Sequence, residues 1–176
     1  MRALLWIIPA GIGLLGLCLP YALARCCRKT RDRDRDRDPP KLFETFVALD
    51  FDGVLHPGQS ETLELLPLFC DWARRHPQVG FVIASSWREH LTLDELRALF
   101  PEDLRARIVG ATPILTGVVR EVEIERFFAS LGLAQTRWVA LDDDLRGYPT
   151  LGLRVVAPDY LQGITPEVLQ RLSALV

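Results

Sequence analysis

The sequence has 176 residues, of which 49% are hydrophobic and 25% are charged, a composition that fits one folded domain with a short appendage and excludes a disordered chain. Its net charge of −2 is unevenly divided, because residues 1–40 carry +4 and residues 41–176 carry −6. An acidic domain lacks the basic face that tight binding to a nucleic-acid backbone requires, so nucleic acid is not the expected partner.

The first 24 residues predict a hydrophobic helix. Residues 3–24 contain no charged side chain, and as a helix they would span about 33 Å, enough for a hydrocarbon core of about 30 Å. Four basic residues follow within residues 25–31, whereas only Arg2 precedes the segment. By the positive-inside rule this asymmetry predicts a membrane anchor that leaves the following domain in the cytoplasm.

Two alternatives to the anchor stay open. The small residues of Ala22-Leu23-Ala24 also fit a signal-peptidase site, and cleavage there would export the domain. A start site further along the chain would instead leave the domain soluble in the cytoplasm.

Residues 25–40 predict a charged linker. Arg and Asp alternate from Arg31 to Asp38, and Pro39 and Pro40 follow. This stretch has no apolar side chain to bury and so cannot compensate for the entropy lost on ordering. The folded domain is therefore expected at residues 41–176.

Strand-like and helix-like segments alternate through this domain. We expect strands at residues 45–49, 79–84, 107–109, 138–141 and 153–157. We expect helices at residues 62–76, 92–100 and 119–131, and from Pro166 onwards. The alternation predicts an α/β fold of three α/β/α layers, with a Rossmann-like parallel sheet that binds ligands beyond the carboxyl ends of its strands.

Polar side chains cluster at those carboxyl ends. Asp50 and Asp52 follow the first strand, Ser85 and Ser86 follow the second, and three acids at residues 142–144 follow the fourth. Residues two apart in an extended segment point the same way, so Asp50 and Asp52 face one small volume. Two such carboxylates repel each other unless a cation lies between them or one holds a proton, which indicates a functional site.

Four motifs, in order along the chain, resemble those of the haloacid dehalogenase (HAD) superfamily. They are Leu-Asp-Phe-Asp-Gly-Val-Leu-His-Pro at residues 49–57, Ser-Ser-Trp-Arg at 85–88, Arg-Glu-Val-Glu-Ile at 120–124 and Leu-Asp-Asp-Asp at 141–144. The set is similar to a small branch found in Swiss Army knife RNA repair proteins, over about residues 42–175. The gaps of about 30 residues between the first three motifs leave no room for a cap domain, so the resemblance implies a capless fold with an open site.

The resemblance also implies roles for individual residues. Asp50 would be the nucleophile that forms an aspartyl-phosphate, and Asp52 would be the general acid and base. Ser85 and Arg120 would bind the phosphoryl group. Three alternatives stay open: Ser86 for Ser85, Arg126 for Arg120, and Asp144 for one of the acids at residues 142 and 143.

A magnesium ion is the implied cofactor, because Mg²⁺ prefers oxygen ligands. Asp50, the backbone carbonyl of Asp52, and Asp142 and Asp143 would supply them. His56 and Arg88 are candidates for substrate contact, although a loop histidine is more often exposed to solvent and Arg88 is equally compatible with a surface role.

The expected function is therefore that of a Mg²⁺-dependent phosphomonoester hydrolase, a phosphatase whose substrate the sequence does not identify. A catalytically idle domain that binds phosphate or metal while tethered to the membrane is the alternative from a different class. A nucleic-acid end-processing phosphatase is a third hypothesis, which the acidic domain disfavours.

Overall fold

The computed structural model describes residues 43–150 and 152–176. The predicted hydrophobic helix at residues 1–24 and the linker at residues 25–40 lie outside the described residues and stay predictions. Among the described residues, no helix has the length and apolar character needed to cross a bilayer.

Five parallel strands form one sheet in the order β3–β2–β1–β4–β5. They are β1 (Thr45–Leu49), β2 (Val79–Ile83), β3 (Ile108–Ala111), β4 (Trp138–Leu141) and β5 (Val155–Val156). The chain extends the sheet from β1 through β2 to β3 and then crosses to the other side of β1. The strand order thus reverses between β1 and β4, and open parallel sheets bind ligands at this point.

The described residues also form five α-helices and three short 3₁₀ turns. The helices are α1 (Leu66–Arg75), α2 (Leu93–Ala98), α3 (Glu102–Arg105), α4 (Arg120–Ser130) and α5 (Pro166–Ser173). The 3₁₀ turns are Ser86–Glu89, Leu145–Gly147 and Gly152–Arg154. The predicted capping box at the start of α2 is confirmed, because the Thr92 and Glu95 side chains each accept from the other residue's backbone N–H.

Helices cover both faces of the sheet, because all five residues of β1 are buried and successive side chains point to opposite faces. Val47 and Leu49 lie in one core cluster with buried side chains of α1, α2, α3 and α5. Phe46 and Ala48 point to the opposite face, where they pack with buried side chains of α4. The predicted α/β sheet with helices on both faces is therefore confirmed.

Strand register aligns the motifs at one edge of the sheet. Leu49, the last residue of β1, pairs with Ile83 of β2 and with Leu141 of β4. The next residues along β1 and β4 are Asp50 and Asp142, and the Asp50 N–H donates to the Leu141 carbonyl at 3.0 Å. The first and last acidic motifs therefore lie side by side at the point where the strand order reverses.

Several element boundaries differ from the prediction: the third strand is Ile108–Ala111 rather than 107–109, and the helix Glu102–Arg105 was not predicted. The predicted helix at residues 62–76 begins only at Leu66, because Glu61 and Leu63 have φ values of 57° and 50°, in the left-handed region. The last strand is confined to Val155–Val156, because Gly152–Arg154 form a 3₁₀ turn.

The segments between the motifs are short and fully described. Between Asp52 and Ser85 the chain forms a loop, α1 and β2, and between Ser85 and Arg120 it forms a 3₁₀ turn, α2, α3 and β3. Neither segment contains an inserted domain, as the capless prediction requires.

Candidate active site

Asp50 is held between a backbone donor and a guanidinium. It is the first residue after β1, and only 6% of its surface is exposed. One carboxylate oxygen, Oδ1, accepts from the Phe51 N–H at 2.7 Å, and the other, Oδ2, accepts from Arg120 Nη1 at 2.5 Å. Because Arg120 is the first residue of α4, the start of that helix delivers a positive charge to the end of the central strand.

The same guanidinium contacts a second carboxylate. Arg120 Nη1 donates to Asp142 Oδ2 at 2.6 Å, and the Tyr148 hydroxyl donates to that oxygen at 2.7 Å. The backbone N–H of Asp144 donates to Asp142 Oδ1 at 2.9 Å. Arg120 therefore bridges two acids from neighbouring strands, and this contact favours Arg120 over Arg126 for the role at the phosphoryl group.

Burial and charge shift the pKa values in this half of the site. Burial raises the pKa of Asp50, and the Asp142 carboxylate adds to the effect while Arg120 opposes it. Burial disfavours the charge on Arg120, but the Asp50 and Asp142 carboxylates still raise its pKa above the ordinary value. Burial and the Asp142 charge raise the pKa of Tyr148 well above its usual value, so this phenol stays a neutral donor.

Three carboxylates converge where a metal ion would fit. Asp50, Asp142 and Asp143 each offer an oxygen, and these oxygens all lie within 4.8 Å of one another. Burial, with the charges of Asp142 and Asp50, raises the pKa of Asp143 to about 6. Once ionised, the three acids with Arg120 carry a net charge of −2, and hard oxygen ligands around such a charge suit Mg²⁺.

Asp144 lies outside this cluster of acids. Its carboxylate accepts from Arg146 Nε at 2.8 Å and from Arg146 Nη2 at 3.0 Å. It also caps the 3₁₀ turn that follows, by accepting from the Arg146 backbone N–H. The geometry thus favours Asp142 and Asp143 over Asp144 as metal ligands.

Asp52 occupies a second half of the site with different partners. Its Oδ1 lies 3.0 Å from His56 Nε2 and accepts from Trp87 Nε1 at 3.3 Å. Its Oδ2 accepts from the Ser86 hydroxyl at 3.3 Å. Asp52 is therefore oriented by a loop side chain and by the turn after β2, with no arginine or lysine in contact with its carboxylate among the described residues.

The turn that separates Asp50 from the loop requires glycine. Gly53 has φ +64°, and a Cβ at this position would lie 2.6 Å from the Tyr160 ring and 2.9 Å from the Asp143 carboxyl carbon. Both the left-handed backbone and the close approach exclude a larger residue. The glycine of the first motif thus lets the loop pass against the Asp143 carboxylate.

His56 is a correction to the sequence analysis, which weighed a substrate contact against a solvent-exposed position. The residue is 0% exposed, and its ring packs against Trp87 with a centroid distance of 5.8 Å. Its Nδ1 is buried without a hydrogen-bond partner among the described residues. The ring contacts the Asp52 carboxylate and is shielded from solvent, so His56 supports that acid.

Arg88 is a second correction. Its side chain is 6% exposed and donates to the backbone carbonyls of Thr112, Ala84 and Ser85. It also forms an ion pair with the Glu123 carboxylate on α4. These contacts join the end of β2 to the loop after β3 and to α4, so the surface role is wrong. Arg88 also lines a cavity with Arg120 and Asp142, and its contact with substrate stays a prediction.

The two serines of the second motif have different surroundings. Ser85 is fully buried at the end of β2, where its Oγ accepts from the Trp87 N–H at 3.4 Å. Ser86 is exposed and donates to Asp52. Ser85 stays the predicted phosphate contact because it lies at the end of the strand. Ser86 instead contacts Asp52.

Arg126, the alternative to Arg120, does not lie at this site. It lines a pocket of about 630 Å³ together with Arg137 and Arg154, at the amino end of β4 and therefore at the opposite edge of the sheet from Asp50.

Three residues that support the site were given no role in the sequence analysis. Tyr148 donates to Asp142 from a loop six residues away, and no motif marks it. Glu121 and Glu123 are buried on α4, where Glu121 accepts from Thr150 and Glu123 accepts from Arg88 and from the Leu115 N–H. Two acids that flank an apolar residue near a helix start predict a solvated face. They are buried instead because their partners, Thr150 and Arg88, are distant in sequence.

Comparison with known families agrees with this geometry. The model of the HAD domain in Swiss Army Knife RNA repair proteins matches residues 46–169, a span that includes all four motifs and more than half of the chain. Searches of curated proteins and of solved structures found no match.

Proposed function

This chain belongs to the family of HAD domains found in Swiss Army Knife RNA repair proteins, and we propose that it hydrolyses phosphomonoesters through an aspartyl-phosphate on Asp50. Family membership supports the broader statement, a hydrolase of the phosphatase type. The observation that carries the finer proposal is that Asp50 contacts Arg120 and has Asp142 and Asp143 beside it, while Asp52 faces separate donors.

Asp50 has the surroundings that a nucleophile needs. The carboxylate must be ionised to attack phosphorus, and Arg120 favours the ionised form against the effect of burial. The Phe51 N–H and Arg120 fix the two oxygens, which restricts the directions from which Asp50 can attack. Arg120 is also positioned to stabilise negative charge on the phosphoryl oxygens.

Asp52 has the surroundings of a general acid and base. Its Oδ1 has two partners, His56 and Trp87, whereas Oδ2 has one, the Ser86 hydroxyl. We therefore assign proton transfer to Oδ2, which gives a proton to the leaving oxygen and later takes one from the attacking water. An ionised Asp52 can only accept, so His56 then carries its proton on Nε2 and holds Oδ1 in place.

The donor set fits Mg²⁺, with Asp50, Asp142 and Asp143 as side-chain ligands and the Asp52 carbonyl as the predicted backbone ligand. A bound Mg²⁺ would supply positive charge for the phosphoryl oxygens and relieve repulsion among the acids. Ligands must be deprotonated to bind, so the pKa of Asp143 near 6 matters for the affinity.

An idle binding domain remains the alternative, and it predicts metal binding without turnover. The test is phosphate release by the purified full chain from a generic aryl phosphate, with Mg²⁺ or with EDTA. Turnover that requires Mg²⁺ supports the proposal. A folded protein that binds Mg²⁺ but releases no phosphate across aryl, metabolite and oligonucleotide phosphates would support the idle domain.

We also propose that residues 3–24 anchor the protein in a membrane with the domain in the cytoplasm, on the basis of the hydrophobic length and the basic flank. Carbonate extraction of membranes and protease protection test this. Release by carbonate contradicts the anchor, and protection of the domain from added protease in intact cells with digestion after permeabilisation supports the orientation.

A further inference from the structure

A pocket of about 520 Å³ lies against Asp52, and neither Arg120 nor Asp142 lines it. Gln59, Glu61, Trp87, His90 and Leu91 line it together with Asp52 and its hydroxyl donor. Arg120 and Asp142 line a different cavity of about 280 Å³. Different residues therefore line the two cavities. The one at Asp52 is acidic and aromatic, and the one at Asp142 contains Arg120.

A general acid must lie within hydrogen-bond reach of the oxygen that it protonates. If Asp52 has the role proposed above, the leaving group of the substrate occupies the pocket that Asp52 lines. The chemistry of this pocket then selects the substrate.

The charge of the pocket disfavours polyanions. Among the described residues that line it, none is an arginine or lysine, and both Asp52 and Glu61 are acidic. Sites that bind nucleic acids or polyphosphates meet each further phosphate with a cation or a backbone donor. Glu61 would repel a leaving group that carries further phosphates, whereas it would not repel a neutral or cationic one.

The wall of the pocket is a fixed aromatic ring. Trp87 donates to Asp52, and its ring packs edge-on against Phe51 at a centroid distance of 5.3 Å. The ring is tilted against that of His56 at a centroid distance of 5.8 Å. These contacts hold the indole in one orientation before any substrate arrives, so packing a flat group on it costs little conformational entropy. Leu91 adds apolar surface beside it.

We propose that this pocket binds the leaving group of an aryl phosphomonoester that is neutral or positively charged, with Trp87 as the packing surface and Glu61 as the residue that selects charge. The proposal rests on the phosphatase function proposed above. It places the substrate outside the class of nucleic-acid ends.

Two substrates matched in reactivity test the charge selection. The phosphate monoesters of tyramine and of para-hydroxyphenylpropionate release phenols of similar acidity but carry an ammonium and a carboxylate, respectively, at similar distance from the ring. We expect the full chain to show a kcat/KM at least about fivefold higher for the tyramine ester. One attraction between unit charges about 4 Å apart in water corresponds to about that factor, and the carboxylate of the other ester is repelled instead. The preference should shrink as salt is raised.

Variants of two neighbouring acids make the test specific. Glu61→Gln should bring the ratio of the two kcat/KM values close to one, and Glu61→Lys should invert it. Glu64→Gln is the matched control, because Glu64 is exposed nearby but does not line the pocket, and it should leave the ratio unchanged. A non-hydrolysable aryl phosphonate should also inhibit severalfold more tightly than an alkyl phosphonate of equal carbon number.

The outcomes separate the pocket from the phosphatase itself. Equal rates for the two esters, a ratio that Glu61→Gln leaves unchanged, or faster hydrolysis of a phosphorylated oligonucleotide than of either ester would each overturn the pocket assignment while leaving the phosphatase intact. Failure to hydrolyse any of these substrates in Mg²⁺ would instead overturn the proposed function. A phosphotyrosine peptide flanked by lysines, assayed beside the tyramine ester, distinguishes a protein source of the aryl phosphate from a small molecule.

Discussion

The two halves of the site hold their carboxylates in different ways. At the ends of β1 and β4, Asp50 and Asp142 share the guanidinium of Arg120, and Asp143 adds a third acid beside them. At Asp52 the partners are an imidazole, an indole and a hydroxyl, and the supporting His56 is fully buried. Charge balance organises the first half, whereas packing and directed hydrogen bonds organise the second.

This difference indicates the kind of perturbation to which each half of the site should be most sensitive. Changes of cation, pH or ionised groups should act mainly on the half that contains Asp50, because like charges there depend on Arg120 and on a metal. Changes of shape should act mainly at Asp52, because its geometry depends on rings packed behind it.

The largest expected effect is loss of the nucleophile. Asp50→Asn keeps the shape and removes the attacking oxygen anion, so turnover should fall about 10⁴-fold or more with little change in thermal stability. Steady-state phosphate release and a melting curve check this. The control is Asp94→Asn, whose exposed carboxylate makes only a 3.6 Å contact with Arg97, and it should be indistinguishable from the unmodified protein.

Removing the bridging cation should have the next largest effect. Arg120→Met should lower kcat/KM by about 100-fold, because the phosphoryl oxygens lose a cation and two carboxylates lose their shared partner. Arg120→Lys should retain more activity than Arg120→Met. Arg126→Met, in the pocket at the opposite edge of the sheet, should change nothing, and an equal loss there would break the assignment of Arg120.

His56 should distinguish support of Asp52 from support of the fold. His56→Leu removes the donor to Asp52 and should lower kcat by about tenfold. It also removes the buried Nδ1 that lacks a partner, a group whose burial costs about 1–3 kcal/mol, so the free energy of unfolding should not fall in proportion. His56→Gln keeps an N–H donor near the position of Nε2 and should restore most of the activity. Equal losses for both variants, in step with their stabilities, would mean that His56 only fills space.

The smallest effect concerns pH and metal at Asp143. Its folded-state pKa of about 6 lies above the ordinary value of 3.8, so the folded protein holds this proton more tightly than the unfolded chain. In EDTA this group should therefore lower stability as pH rises from about 4 through 6. Added Mg²⁺ should raise the melting temperature by a few degrees at pH 7.5 and by less at pH 5, because the metal must displace the proton.

Asp143→Asn provides the control for that measurement, since it should remove most of the pH dependence of the Mg²⁺ effect. An unchanged Mg²⁺ shift at both pH values in this variant would exclude Asp143 from the metal site.

The first half of the site was predictable because it follows from strand ends. Apolar strands that stop at Asp50 and at Asp142 must, in a parallel sheet, deliver those acids to one edge, and the register of Leu49 with Leu141 places them side by side. The sheet itself was predictable for the same reason, because the alternation of apolar strands and amphipathic helices constrains the layers. The choice between Arg120 and Arg126 needed the helix start, which is Arg120.

The second half was not predictable in the same way. A histidine in a loop rich in proline and glycine gives no sign of burial, because its surroundings come from Trp87 on a separate turn. Arg88 is the last residue of the second motif, where a phosphate contact is a natural expectation, yet its pairing with Glu123 depends on how α4 crosses the sheet. Such tertiary partners leave no local pattern in the sequence.

The most direct test of the account is to identify the phosphorylated residue during turnover. The full chain is mixed with an aryl phosphate and Mg²⁺, quenched in acid within milliseconds, and digested for mass spectrometry, with a hydroxylamine-treated sample in parallel. The account predicts one phosphorylated peptide containing Asp50, labile to hydroxylamine and missing in Asp50→Asn. Turnover with phosphate on a different residue, or with no phosphorylated enzyme while Asp50→Asn remains active, would contradict it.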